Sequence, residues 1–221
     1  MGRWIKANKG FLVLLMCFGL FRTAVADWNP IPSGSMRPNL VEGDVVFVNR
    51  LAYNVKIPLT DVVLAQIGEP RRGDVVTFSS PQDGTRLIKR LVAVPGDTVE
   101  MRDEVLIING EAARYEAPQA LQEAVSLGHT VDATRLTEQV LGHERRVQWL
   151  HGVTARSSFD PVTVPEGEYL VLGDNRDNSA DSRYIGLVPL HLLIGRAVGV
   201  LVSADTDRYF MPRFERFGQK L

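Results

Sequence analysis

The sequence predicts a mainly β protein. It reads as an antiparallel β-sheet domain with an inserted β-rich subdomain, preceded by one N-terminal transmembrane helix. Three observations carry this. From residue 45 onward, short β-branched runs recur, closed by Gly-Asp, Pro-Gly-Asp and Asn-Gly steps. Ahead of them, Phe11 to Phe21 is apolar throughout. The charges nearly cancel, with 25 Lys and Arg against 26 Asp and Glu and a net charge of −1, which argues against a broad nucleic-acid surface.

Residues 1–10 carry Arg3, Lys6 and Lys9 and no acid, and form a basic tail on the cytoplasmic side. The apolar run has two readings. A signal peptide would use Ala24-Val25-Ala26 as its small-x-small cleavage site. A membrane anchor over 11–27 would let Arg22 snorkel to the outer interface. Trp4 and Trp28 would then bracket a helix of roughly 36 Å. In both readings residues from 28 onward lie outside the cytoplasm. The one cysteine, Cys17, lies in this run, so an intramolecular disulfide, a thiolate metal site or a cysteine nucleophile in the soluble part is excluded.

The predicted strands are Val45–Val48, Val75–Phe78, Arg86–Val94, Val99–Met101, Val105–Ile108, Glu168–Leu172 and Ile194–Val202. They assign 28–110 and 161–221 to one β domain. Residues 111–160 are more polar and form the insertion; local pattern leaves the state of Pro118 to Leu127 open between helix and strand. The C-terminal Tyr209-Phe210-Met211-Pro212-Arg213-Phe214 reads as packing, with membrane-surface contact as its alternative.

Three stretches could carry chemistry. Ile31-Pro32-Ser33-Gly34-Ser35-Met36-Arg37-Pro38 is stiffened by its prolines, and Gly34 permits a bend beside Ser35. Taken alone it could equally be a rigid linker leaving a membrane. A nucleophilic serine needs a base. None of His129, His143, His151 and His191 has a setting that marks it as one. Lys89 is the alternative: alternation places it with Leu87, Leu91 and Ala93, on an apolar face where burial lowers an amine's pKa. The competing reading is an edge lysine that reaches water. The third stretch, Gly173 to Gly186, alternates carboxylates with guanidiniums. It is not a calcium loop, because the third, sixth and twelfth positions from Asp174 are Arg176, Ser179 and Ile185.

Taken together and in order, Ile31-Pro32-Ser33-Gly34-Ser35-Met36-x-Pro38, Gly73-Asp74-Val75-Val76, Lys89-Arg90 with Pro95-Gly96-Asp97, and Gly173-Asp174-Asn175-Arg176-Asp177-Asn178-Ser179-x-Asp181-Ser182-Arg183 resemble bacterial type I signal peptidase, the membrane-bound Ser/Lys leader peptidases. The chain departs in having one hydrophobic segment where many Gram-negative members have two. The resemblance implies that Ser35 is the nucleophile and Lys89 the general base. Ser33 would donate to the oxyanion, Ser179 would orient the Lys89 amine, and Asp181 with Arg183 would brace the loop. Ile31, Pro32, Met36, Leu40, Leu87 and Ile88 would line shallow pockets for small residues.

The implied activity is cleavage of signal peptides from translocated preproteins after small-x-small sites. The enzyme would be a single-pass monomer of the bacterial inner membrane, with its catalytic domain on the periplasmic side. Its partners would be the extended end of a signal peptide and the lipid bilayer; no nucleic acid, metal or cofactor is implied. Alternatives are a conjugation-linked peptidase of the same superfamily, a LexA-like self-cleaving protein, and a non-enzymatic preprotein-binding module.

Overall fold

The computed structural model describes residues 2–58, 60, 62–126 and 129–221. Two helices, α1 (Gly2–Ala7) and α2 (Lys9–Ala24), open the chain. Bonds from Asn8 N to Trp4 O and from Leu12 N to Asn8 O, each 3.0 Å, carry the helical path past the turn at Asn8. The Leu, Met, Phe and Ala content of α2 suits a helix, and no proline interrupts it. Its apolar side chains face outward: Phe11, Leu14, Met16, Phe18 and Phe21 are all exposed. Among the described residues no helix is long and apolar enough to cross a membrane. The apolar segment also ends sooner than residue 27. The chain is a strand from Ala26, where Ala26 and Asp27 are buried against the sheet.

The first strands are β1 (Ala26–Pro30), β2 (Asp44–Asn49), β3 (Asn54–Lys56), β4 (Val63–Gln66), β5 (Val75–Ser79) and β6 (Arg86–Ala93). They are followed by β7 (Thr98–Arg102), β8 (Val105–Ile108), β9 (Glu111–Ala112), β10 (Arg114–Ser126), β11 (His129–Val140) and β12 (His143–Leu150). The chain closes with β13 (Phe159–Thr163), β14 (Glu168–Leu172), the short helix α3 (Ser182–Ile185), β15 (Val188–Pro189), β16 (Leu193–Asp205) and β17 (Met211–Pro212). An eight-stranded antiparallel sheet has the order β1-β2-β16-β5-β6-β14-β15, with β17 added to β16. A four-stranded sheet, β13-β7-β8-β9, contains the expected 99–108 hairpin. The hairpin turns through Asp103 and Glu104, both at positive φ (47° and 71°), and the next turn, from β8 into β9, uses Asn109 and Gly110 (53° and 81°), a conformation that Asn and Gly tolerate.

Among the described residues the insertion is built on strands: β10, β11 and β12 form a three-stranded sheet, and residues 151–158 follow as turn and irregular chain. Pro118 falls within the register shift between Glu116 and Gln119, where a bulge tolerates its missing donor. Leu127, the end of the undecided Pro118–Leu127 piece, lies outside the described residues, as does Met1 of the basic tail. Pairing with β11 therefore overrides the helix-prone Ala, Leu and Gln of β10.

A buried charge cluster fastens the insertion to the rest. Glu138 of β11 pairs with Arg145 of β12 and, at 2.6 Å, with Arg176 after β14, and accepts from Tyr115 Oη at 2.8 Å. Burial pushes the Glu138 carboxyl up, but the two guanidiniums outweigh it and hold its pKa below the ordinary range.

At the C-terminal end the packing expectation reverses. Tyr209 is 100% exposed, and Phe210, Met211 and Phe214 are exposed with it. The arginines turn inward instead. Arg216 bonds the buried Asp44 at 2.9 and 2.6 Å, and Arg213 donates to the carbonyls of Glu42 and Ala204. A carboxylate with no access to water demands a cation, and these aromatics meet no comparable demand.

Glu138→Gln should leave two buried arginines uncompensated and lower the unfolding free energy by about 3–5 kcal/mol. A urea titration reads this as a lower midpoint with an unchanged slope. Because the folded carboxyl titrates below its unfolded value, Glu138 stabilises above the ordinary carboxylate range. That contribution is lost as pH falls through the lowered value, so wild type and variant should converge in acid.

Candidate active site

Ser35 lies in a single 3-10 turn, Gly34–Met36, entered through Ser33 in extended conformation (φ −142°, ψ 156°). The turn is held from both sides. Ile31 exchanges backbone bonds with the start of β2, receiving from Gly43 N and donating to Asp44 O. From the other side, Asn175 N donates to Ser35 O at 3.1 Å and Asn175 Nδ2 to Gly34 O at 3.0 Å. Met36 and Leu40 anchor the turn from below, wholly buried in a cluster with Ile31, Val46, Val48 and Val75.

Lys89 projects from the middle of β6. Its Nζ lies 2.7 Å from Ser35 Oγ and donates to Ile88 O at 2.9 Å. The lysine is 2% exposed and Ser35 8%. Burial lowers the amine's pKa to about 8, against the opposing pull of the Asp181 and Asp174 carboxylates. Both carboxylates are already engaged. Asp174 makes a two-pronged pair with Arg90 (2.8 Å each) and accepts from Asn39 Nδ2 at 2.7 Å. Asp181 makes a similar pair with Arg183 (2.8 Å each), caps α3, and accepts from Gly173 N at 3.0 Å.

The other predicted site residues divide. Pro32 and Ser33 are exposed beside Ser35, while Leu87 and Ile88 are half-buried. Ser179 Oγ is buried without a hydrogen-bond partner among the described residues, so it does not hold the Lys89 amine here. It packs instead against Gly173, whose missing Cβ leaves it room. Met36 and Leu40 cannot line an open pocket. They have no accessible surface, because the core beneath the turn needs their full volume.

Sequence reasoning missed Arg90, Asn39, Asn175 and Gly173 as parts of the site. Arg90 carried a signal: a cation on the opposite strand face from Lys89 calls for a carboxylate, and the acidic 174–181 loop supplies one. Two surface recesses, about 540 Å³ beside Tyr169 and about 360 Å³ beside His143, include neither Ser35 nor Lys89. The edge of β6 is the more informative feature. β5 pairs with Arg86–Arg90 on one side, whereas β14 pairs only with Arg90, Leu91 and Ala93 on the other. Among the described residues, Arg86–Lys89 has no strand partner on that second edge.

A serine hydroxyl lies on a dehydrated lysine amine, at an open strand edge in an antiparallel β fold, and such an amine can in principle activate a hydroxyl without histidine, as a serine hydrolase requires. The chain belongs to the family described as signal peptidase, peptidase S26, whose model matches residues 1–202. It is 34% identical to signal peptidase I of Pseudomonas aeruginosa over 230 residues, covering 97% of this chain and 78% of that protein. Signal peptidase I of Rickettsia prowazekii is 31% identical over 217 residues, covering 87% and 78%. A crystal structure of a signal peptidase I from Enterococcus faecalis V583 matches 59% of this chain and 97% of its own, with 34% identity and a TM-score of 0.35.

A Cβ at Gly173 would lie 2.2 Å from Ser179 Oγ and 2.6 Å from Ser35 O. Gly173→Ala should therefore displace the serine turn and cut peptidase activity roughly 100-fold. The thermal midpoint, measured alongside, should fall by only a few degrees, separating loss of geometry from loss of fold.

Proposed function

We propose that this protein is a membrane-bound signal peptidase that cuts exported preproteins after small-x-small sites by Ser/Lys acyl transfer. The observation that carries the chemistry is the 2.7 Å contact between Lys89 Nζ and Ser35 Oγ, with the amine's pKa lowered to about 8. In the first step Ser35 Oγ forms a bond to the scissile carbonyl carbon and its proton passes to neutral Lys89. As the C–N bond breaks, that proton goes to the leaving amine. Water then gives a proton to the Lys89 amine and attacks the ester carbonyl; as the C–O bond breaks, that proton passes to Ser35 Oγ and the cut chain leaves as the acid. The backbone N–H of Ser35 and the exposed hydroxyl of Ser33 are the donors proposed for the oxyanion.

An extended substrate segment adding to the open edge of β6 would lay alternate side chains against Ile31, Pro32, Leu87 and Ile88, and the crowding there favours small ones. The outward apolar faces of α2 support an anchor, with the basic tail inside and the catalytic domain on the periplasmic side. The exposed Tyr209, Phe210 and Met211 support contact of the domain with the lipid surface. Removal of the N-terminal segment at Ala26 is disfavoured on this reading, because Ala26 is buried and paired with Asn49.

Ser35→Ala should abolish cleavage of a preprotein with Ala-x-Ala before the cut while leaving the protein folded. Lys89→Arg should be as inactive as Lys89→Ala, since a guanidinium does not give up its proton. The kcat/KM of the unaltered enzyme should rise with pH through about 8, because below that value the amine is protonated and cannot accept from Ser35. A flat profile from pH 6 to 9 would refute the lysine base.

A further inference from the structure

Asp27 gathers three arginines from distant parts of the chain. Arg22 Nε, near the end of α2, bonds its Oδ1 at 3.1 Å. Arg86 Nη1, at the start of β6, bonds its Oδ2 at 3.1 Å and Asn29 Oδ1 at 3.0 Å. Arg50 Nη1, following β2, lies 3.6 Å from Oδ2. The carboxylate is almost wholly buried, whereas Arg22 and Arg86 are half exposed. Two further contacts fasten the helix to β1: the Arg22 guanidinium lies 4.6 Å from the Trp28 ring centroid, and the Phe18 and Trp28 rings are 5.7 Å apart.

Two features make this more than a surface ion pair. Strands β2, β16 and β5 separate β1 from β6 in the sheet, so Arg86 reaches across the sheet's curl to join strands that do not pair. It stands three positions before Lys89 on the same strand. The junction it meets also has no slack. Val25 O accepts from Arg50 N at 3.0 Å, and Ala26 is already in register with Asn49.

Resting on the signal-peptidase reading, we propose that Asp27 is a positioning residue. With Arg22 and Arg86 it locks the end of the N-terminal helix to the strand that carries Lys89, and so fixes the height above the membrane at which an inserted substrate is cut. A lone half-exposed ion pair contributes little to stability. Here the shared carboxylate is buried, and removing its charge leaves three guanidiniums facing one another. The effect sought is therefore on orientation: a loosened junction lets the anchored domain tilt and present Ser35 at several heights. A peptide free in solution is indifferent to that tilt.

The test uses the full chain in phosphatidylethanolamine–phosphatidylglycerol vesicles. One substrate is a preprotein whose membrane-inserted signal peptide carries two neighbouring small-x-small sites. The other is a short soluble peptide with one such site and no apolar segment. The unaltered enzyme should cut the preprotein at one site and should also cut the peptide. Asp27→Asn and Arg22→Gln should each divide cleavage between the two sites and slow preprotein processing roughly tenfold, with kcat/KM on the peptide changed less than about twofold. Arg22 lies outside the sheet, so its variant guards against simple misfolding of Asp27→Asn. Unchanged site choice in both variants, or equal losses on the two substrates, overturns the positioning role. Failure of the unaltered enzyme to cut either substrate overturns instead the peptidase reading beneath it.

Discussion

A lysine amine can hold the proton of a serine hydroxyl only if the protein strips it of water and denies it a counter-ion. The surroundings of Lys89 meet both conditions. The two oxygens bonded by Lys89 Nζ, Ser35 Oγ and Ile88 O, are both neutral. The carboxylates that could stabilise its charge are near enough to raise its pKa, yet Asp174 is matched by Arg90 and Asp181 by Arg183. The acidic loop is thus neutralised by its own arginines and by β6, so burial dominates the balance at the amine. An acid-rich segment beside the amine would otherwise keep it protonated.

The same arginine pairs set the geometry. Arg90 ties the loop after β14 to β6 beside Lys89, and Asn175 ties it to the backbone of the serine turn. Ser35 and Lys89 come from separate parts of the chain, and the loop is the third body that keeps them in register. Buried ion pairs are costly to assemble and contribute uncertain net stability. Their directional, two-pronged bonds specify one arrangement where apolar packing would accept several.

The insertion belongs to this frame. Gln148 of β12 donates from its backbone to Asp174 O at 2.8 Å and accepts from Arg176 N at 2.9 Å, while Leu150 N donates to Asp177 Oδ2 at 2.7 Å. Arg37, two residues past Ser35, pairs with Glu123 of β10, which also holds Arg135 of β11. A segment that reads in the sequence as a polar insertion therefore buttresses both the serine turn and the loop opposite it.

In the main sheet β2, β5, β6, β14 and β16, and beside it the 99–108 hairpin, were legible because β-branched runs between Gly, Asp and Pro act locally, and their physics needs no partner to be read; β1 and β15, which lack such runs, were not. The Ser35 stretch, Lys89 and the loop after β14 were legible as motifs for the same reason: each is short and chemically unusual. What the sequence by itself determined was therefore the set of elements and the inventory of reactive groups. Tertiary structure alone decided which groups meet. It made β10 a strand through pairing with β11, ended the apolar helix at Ala24 by drawing Ala26 into the sheet, and turned Met36 and Leu40 into core. It also chose between an edge lysine that reaches water and a buried one. The physical reason is that desolvation and ion pairing depend on contacts between residues far apart in the chain. The pKa of Lys89 and the partners of Asp174 and Glu138 have no value until those contacts form.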